Sequence, residues 1–255
     1  MPLVNTASAP IWYADHRDAT LHRPVTLLIH GAGGTHLDWP AELRRLPEAN
    51  AVIPDLPGHG RSPLPGRSSI TAYAADMIAL LDALKIRQAI IAGHSMGGAI
   101  AQTLALHYPD RVAGLLLIGT AAKLGVHPDI LNHVRDETPR IAEMLVNWYY
   151  GAGATDTLRR RSKQQIMSVD PQILYNDYLA CSQFDLRGQI AQIKAPTLII
   201  GGTGDQMTPF KNSEFLRDTI PGAQLVTLEG AGHFMTLEQP QAVADAAQRW
   251  LLERW

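Results

Sequence analysis

Cysteine is almost absent. Cys181 is the sole one in 255 residues, which rules out an intrachain disulfide and is compatible with a reducing compartment. A packing role is the default for it. Excess charge is missing too: the formal net charge of −2 gives no general attraction to nucleic acid or to an anionic membrane. The one basic cluster, Arg159-Arg160-Arg161 with Lys163, reads as a solvated helix face. No apolar run approaches the roughly 20 residues needed to span a bilayer. The stretch Met1-Pro2-Leu3-Val4-Asn5-Thr6 has neither the basic nor the apolar region of a signal peptide, so a cytoplasmic location without a membrane partner is expected. Several motifs are absent as well. There is no G-x-x-x-x-G-K-[ST], no G-x-G-x-x-G after a strand, no H-E-x-x-H and no cysteine pair, and the ten histidines are scattered singly. Neither a cofactor nor a metal is expected.

What is present is a rhythm of short apolar runs: Val25–His30, Ala51–Leu56, Gln88–Ala92, Gly114–Ile118, Thr197–Gly202 and Gln224–Leu228. They are continuously apolar rather than alternating, as strands buried on both faces of a parallel sheet must be. Ile11-Trp12-Tyr13 suggests a further, edge strand. Helical stripes lie between most of the runs. Ile70, Tyr73, Ala74, Met77, Leu81 and Leu84 recur at three- and four-residue spacing, and Val243, Ala247, Trp250 and Leu251 do the same behind Pro240. Thr208 before Pro209 reads as another helix start. Strand–helix alternation predicts a doubly wound α/β fold with a mostly parallel central sheet. The rhythm lapses between residues 121 and 194. That segment carries helical stretches and gathers Met144, Trp148, Tyr149, Tyr150, Met167, Tyr175, Tyr178 and Phe184. It is expected to be a helical cap inserted into a core formed by residues 1–120 and 195–255.

One stretch organises the rest. Gly93-His94-Ser95-Met96-Gly97 sits where an apolar strand turns into an Ala-rich helical pattern from Met96 to His107. A serine forced into so tight a corner takes a strained backbone conformation that pushes its Oγ out above the sheet edge. The helix that begins there aims free N–H groups at any anion formed beside Ser95.

Ligands of open α/β sheets bind beyond the carboxyl ends of the strands. The segments found there are His30-Gly31-Ala32-Gly33-Gly34, Asp55-Leu56-Pro57-Gly58-His59-Gly60-Arg61-Ser62, Ser95, Thr203-Gly204-Asp205-Gln206 and Gly230-Ala231-Gly232-His233-Phe234. A serine, an acid and a histidine thus share one end of the expected sheet. Serine is a poor nucleophile near neutral pH, so neutral His233 would take its proton during attack. Asp205 would fix the far imidazole nitrogen and stabilise the imidazolium. The N–H groups of Ala32 and Met96 would bind the developing oxyanion, at about 3 kcal/mol per donor. Asp55 and His59 read instead as structural, a carboxylate anchoring a Gly/Pro turn. His94 leaves the corner in another direction and reads as a packing or hydrogen-bonding residue.

Taken in order, these residues resemble the α/β-hydrolase superfamily across nearly the whole chain from Val25 to Trp255. The resemblance rests on His30-Gly31, Asp55-x-Pro57-Gly58-His59-Gly60-x-Ser62, Gly93-His94-Ser95-Met96-Gly97-Gly98, Asp205 with Thr208-Pro209, and Gly232-His233 with Glu238-x-Pro240. It implies Ser95 as nucleophile, His233 as base, Asp205 as acid, Ala32 with Met96 as oxyanion hole, and a helical cap. Serine at the corner disfavours the family's haloalkane dehalogenases, which use aspartate there. The pattern is most similar to small cofactor-free carboxylesterases and enol-lactonases.

The expected activity is therefore ester hydrolysis through an acyl-enzyme on Ser95, with a small apolar ester as substrate and water as co-substrate. Trp148, Met207 and Phe234 are candidates for touching the substrate. A lactonase, a C–C bond hydrolase or a perhydrolase could use the same three side chains. So could a slow-turnover, ligand-sensing receptor.

Overall fold

The structure is a computed structural model that describes residues 3–18 and 20–255. Met1 and Pro2, part of the stretch read above for a leader, lie outside the described residues. Eight strands form one sheet: β1 (Leu3–Asn5), β2 (Pro10–His16), β3 (Val25–Ile29), β4 (Ala51–Pro54), β5 (Ala89–His94), β6 (Val112–Ile118), β7 (Thr197–Gly202) and β8 (Gln224–Leu228). The α-helices are α1 (Ala41–Arg44), α2 (Ile70–Ala83), α3 (Met96–His107), α4 (Pro128–His133), α5 (Thr138–Tyr149), α6 (Asp156–Ser168), α7 (Pro171–Gln183), α8 (Lys211–Thr219), α9 (Met235–Glu238) and α10 (Pro240–Leu252).

The strand order is β1-β2-β4-β3-β5-β6-β7-β8. From β4 through to β8 neighbours run parallel, whereas β2 meets both β1 and β4 antiparallel. This is the doubly wound, mostly parallel α/β sheet expected from the strand rhythm. Ile11-Trp12-Tyr13 does lie on a strand, but not at the edge. The short β1 covers it, reached through a turn in which Thr6 N–H donates to the Ala9 carbonyl.

Alternate side chains along each central strand serve opposite layers, which is why the runs are apolar throughout. Leu27 and Ile29 of β3, Ile91 of β5, and Leu115 and Leu117 of β6 pack with α2 and α3. Leu28, Ile90, Ala92, Leu116 and Ile118 pack with Leu43 of α1 and Val243, Ala247 and Trp250 of α10. Full burial of each such aliphatic side chain contributes about 1.5–3 kcal/mol. Local signals set the helix ends. Ser69 caps α2 by accepting from Ala72 N–H at 3.3 Å, and Pro240 stands in the first turn of α10. Thr208-Pro209 does not start a helix; α8 begins at Lys211, and the Thr208 hydroxyl is engaged elsewhere.

Between β6 and β7 the chain forms α4 to α7 and contributes no strand to the sheet. Ile130, Ile141, Leu145, Tyr149, Leu174 and Tyr178 make a separate apolar cluster there, joined by Phe234 from the core. Phe184 departs from this pattern and packs into the main core. No helix of the described residues is long and apolar enough to cross a membrane.

The connections reverse direction between β3 and β5. From β3 the chain moves to β4 on one side, then returns to place β5 on the other. At such a switch point the loops leave in opposite directions and open a crevice at the carboxyl ends of the strands. The segment from His30 to Gly34 leaves β3 there, and Ser95 leaves β5.

Candidate active site

Ser95 carries φ +53° and ψ −116°, one of three non-glycine residues with positive φ among the described residues. It holds the N-cap position of α3, yet its side chain makes no capping hydrogen bond. That counts against a mere cap, because a capping serine uses its oxygen on the helix N–H groups. The backbone of the corner is held from both sides. Ser95 N–H donates to Ile118 O at 3.0 Å, and its carbonyl accepts from Gly98 N–H, Ala99 N–H and the Thr120 hydroxyl. Glycine at 97 is a matter of space. A Cβ there would lie 2.7 Å from His30 O and closer still to Ile29 O, so α3 passes directly over the end of β3.

His233 and Asp205 come from the loops after β8 and β7. His233 Nδ1 lies 2.9 Å from Asp205 Oδ2 and 3.1 Å from Oδ1, and both side chains are almost wholly buried. Asp205 also accepts from Met207 N–H, Thr208 N–H and the Thr208 hydroxyl, each at 2.8 Å. Burial by itself would raise the Asp205 carboxyl. The His233 ring and the Thr208 donors outweigh it and hold the group below the ordinary carboxylate range. With Nδ1 taken up by Asp205, Nε2 is the imidazole nitrogen left for the pocket. That pocket is lined by Ser95 and His233 together with Gly31, Ala32, Tyr149, Tyr178, Met207, Thr208 and Phe234.

Two neutral histidines brace the frame. Leu56 N–H donates to His30 Nε2 at 3.0 Å, which leaves Nδ1–H to donate to Gly31 O at 2.8 Å. His94 Nε2–H donates to His233 O at 2.9 Å, so the residue beside the serine holds the backbone of His233. Burial pushes His30 down to about 4 and His94 down to about 3. The N–H groups of Ala32 and Met96 donate to no protein group among the described residues. They remain available to an anion at the mouth of the crevice.

The central pocket is tight, about 30 Å³, a volume that suits one or two waters rather than an acyl chain. It shares walls with two larger cavities. One, of about 400 Å³, is lined by Val126, Ile130, Trp148, Tyr178 and Met207. The other, of about 300 Å³, meets it at Ala32, Tyr149 and Phe234 and is lined further on by Asp38, Arg161, Ser162 and Gln165. The three candidate substrate contacts, Trp148, Met207 and Phe234, thus all face this system of cavities. The basic cluster is only partly a solvated face. Arg161 lines the second cavity, and Arg159 reaches Gly151 O at 2.9 Å.

With this geometry in view, the comparisons are direct. A family model described as the alpha/beta hydrolase family matches residues 26–246. The chain is an alpha/beta hydrolase. This hydrolase is 32% identical over 238 residues to 3-oxoadipate enol-lactonase 2 of Acinetobacter baylyi, covering 89% of this chain and 88% of the relative. It is 27% identical to a thermophilic esterase of Thermogutta terrifontis, with a TM-score of 0.88 and 98% and 97% of the two chains covered. It superimposes on the enol-lactonase of Burkholderia xenovorans with a TM-score of 0.91 over 98% and 100% of the chains, a likeness of fold at 24% identity.

The roles of four residues of this alpha/beta hydrolase escaped the sequence reading. Thr208 supports Asp205, Thr120 pins the serine corner, and Tyr149 and Asp177 come from the inserted helices. Asp177 had a readable signal: an acid between Ile173, Leu174, Tyr178 and Cys181 falls on the buried stripe of its helix.

Proposed function

We propose that this alpha/beta hydrolase is a carboxylic ester hydrolase that works through an acyl-enzyme on Ser95. The observation that carries the reading is the strained, uncapped Ser95 at the switch point, facing a pocket that it shares with a histidine bonded to a buried aspartate. Ser95 Oγ attacks the ester carbonyl while His233 Nε2 takes its proton. Asp205 keeps the tautomer and stabilises the imidazolium. The negative charge falls on the carbonyl oxygen between Ala32 N–H and Met96 N–H. The imidazolium then protonates the leaving alcohol, and water, deprotonated by the same nitrogen, releases the acid.

Residues 121–194 act as the cap over this centre. The cavity walled by Val126, Ile130, Trp148 and Met207 suits a short apolar chain. The Asp38 and Arg161 side suits a more polar end of the substrate than composition suggested. A second reading, a lactonase, is favoured by the 32% identity to an enol-lactonase. A lactone ring opens by the same steps, with the leaving oxygen tethered to the acyl group.

A panel of p-nitrophenyl acyl esters and five- and six-membered lactones tests both readings. Turnover that disappears in a folded Ser95→Ala variant is expected, and the ratio of kcat/KM on the two sets separates esterase from lactonase. Undiminished turnover in Ser95→Ala would sink both.

A further inference from the structure

Asp177 is an acid on a cap helix with no exposed surface and no part in the steps above. It joins four elements. Its Oδ2 accepts from Gly33 N–H at 2.8 Å and faces His59 Nε2 at 2.7 Å, and its Oδ1 accepts from the Tyr73 hydroxyl at 2.7 Å. Gly33 follows β3, His59 follows β4, Tyr73 belongs to α2, and Asp177 itself to α7. Leu174, one turn before Asp177, also crowds Gly33: a Cβ there would meet Leu174 Cδ2 at 2.6 Å.

The bond to Gly33 bears on chemistry because of where that N–H lies. Gly34 N–H donates to Gly31 O at 3.1 Å and closes a four-residue turn with Ala32 and Gly33 at its tip. Gly33 holds φ +64°, the left-handed conformation that glycine tolerates at the third place of such a turn. The peptide between Ala32 and Gly33 is the one unit of the turn that could still flip. Its N–H is the one Asp177 holds. Without that bond ψ of Ala32 and φ of Gly33 are free to turn, and the loop that orients the preceding peptide, the one carrying Ala32 N–H, loses its anchor at the tip.

A buried carboxylate beside an oxyanion site would by itself oppose the charge formed there. His59 answers this. Its Nδ1 lies 3.1 Å from Pro57 O while its Nε2 faces Asp177, so both nitrogens meet acceptors and the ring carries both protons. Aspartate and imidazolium form a buried, fully bonded ion pair whose net charge is zero.

We propose that Asp177 is a positioning residue for hydrolysis: from the cap it fixes the turn that presents Ala32 N–H, so that the oxyanion site is complete only with α7 docked. This rests on the assignment of Ala32 and Met96 as oxyanion donors. The reaction thereby depends on the cap for charge stabilisation as well as for shape.

The test compares Asp177→Ala, Asp177→Asn and Tyr73→Phe with wild type in the full chain. Readouts are kcat and KM on a short p-nitrophenyl ester, affinity for an alkyl boronic acid that forms a tetrahedral adduct with serine, and the thermal midpoint. Asp177→Ala should lose about 100-fold in kcat, the scale of one oxyanion donor, with KM within threefold and boronate affinity falling in step. Asp177→Asn can still accept from Gly33 N–H but loses the charge that pairs with His59, so it should recover about tenfold of that loss and leave kcat about tenfold below wild type. Tyr73→Phe loses a bond to the same carboxylate but not the one to Gly33. It should fall in midpoint while keeping kcat within twofold.

A folded Asp177→Ala with kcat and boronate affinity within threefold of wild type overturns the inference. So does a Tyr73→Phe as slow as Asp177→Ala. Should Asp177→Ala not fold, Asp177→Asn decides: a loss in kcat mirrored in boronate affinity supports the role, whereas no loss, or one confined to KM, overturns it. A wild type that turns over no ester removes this inference together with the proposed function. A competent wild type with an indifferent Asp177 removes this inference alone.

Discussion

Replacing Gly97 with alanine should damage stability and catalysis together, and the structure says by how much. The added Cβ would lie 2.7 Å from His30 O and 2.8 Å from the Ile29 carbonyl carbon, with Ile29 O nearer still. All three are backbone atoms at the end of a central strand, so no side chain can swing away. To reach ordinary contact, α3 must lift from β3 by about 1 Å. Overpacking of this kind typically costs 1–3 kcal/mol, and the upper half is expected where both neighbours are backbone. The lift also carries off Ser95 and Met96 N–H, which lead into the same helix. A displacement of about 1 Å in a reacting group costs on the order of 100-fold in rate. Gly188→Ala is the control, since nothing lies within 4 Å of its added Cβ and its φ is not left-handed. That change should be neutral or stabilise by about 0.4–1 kcal/mol through the unfolded chain. Urea denaturation and kcat/KM on a p-nitrophenyl ester measure both effects. A Gly97→Ala protein that matches wild type in midpoint and within twofold in rate would refute the reasoning, as would a Gly188→Ala that is equally harmed.

Two further outcomes follow from the same geometry. Thr208→Val keeps the shape of the side chain but removes the hydroxyl that donates to Asp205 Oδ2 at 2.8 Å. A hydrogen bond to a charged group contributes about 1.5–3 kcal/mol, so kcat should fall about 10- to 100-fold at nearly constant KM; a larger change in KM than in kcat would contradict this. Stability should also decline in acid. His30 and His94 are neutral in the folded protein, with pKa values pushed by burial to about 4 and about 3, against about 6.5 unfolded. Each therefore takes up a proton on unfolding below pH 6.5, and its contribution is lost as pH falls through the folded value. Asp38 works the other way. Burial against the second cavity raises it to about 7, so between about pH 4 and 7 unfolding releases its proton and cancels one of those two. The net slope from these three groups should be near one proton, about 1.4 kcal/mol per pH unit between pH 6 and 4.5, steepening to about two protons in Asp38→Asn. Denaturation curves across that range check it, and an Asp38→Asn slope no steeper than wild type would contradict it.

Much of the core was legible because a two-sided parallel sheet leaves a strong mark. β7 and β8 occupy the stretches expected from their apolar runs, and α3 runs from Met96 to His107 as its Ala-rich pattern predicts. The strand β1 was not foreseen. It is three residues long and mostly exposed, and it is held as the antiparallel partner of β2. Thr208-Pro209 looks like a helix start because the same residue types serve caps and tight turns. Here the threonine turns toward Asp205 instead of capping α8. Ser95, Asp205 and His233 could be read as separate loop residues at one sheet end. Their partners could not, since the contacts from Asp177 to Gly33 and from His94 to His233 O span 144 and 139 residues. Such distances carry no local periodicity, and the inserted helices, free of the sheet's pattern, carry least of all.

The measurement closest to the centre of this account is the fate of the Ser95 hydroxyl. Intact-mass and peptide mass spectrometry after treatment with an alkyl fluorophosphonate should find a single stoichiometric adduct on Ser95. It should form in step with loss of ester turnover, and Ser95→Ala should show neither. Turnover that survives full labelling of Ser95, or an adduct on another residue that tracks the loss, would contradict it.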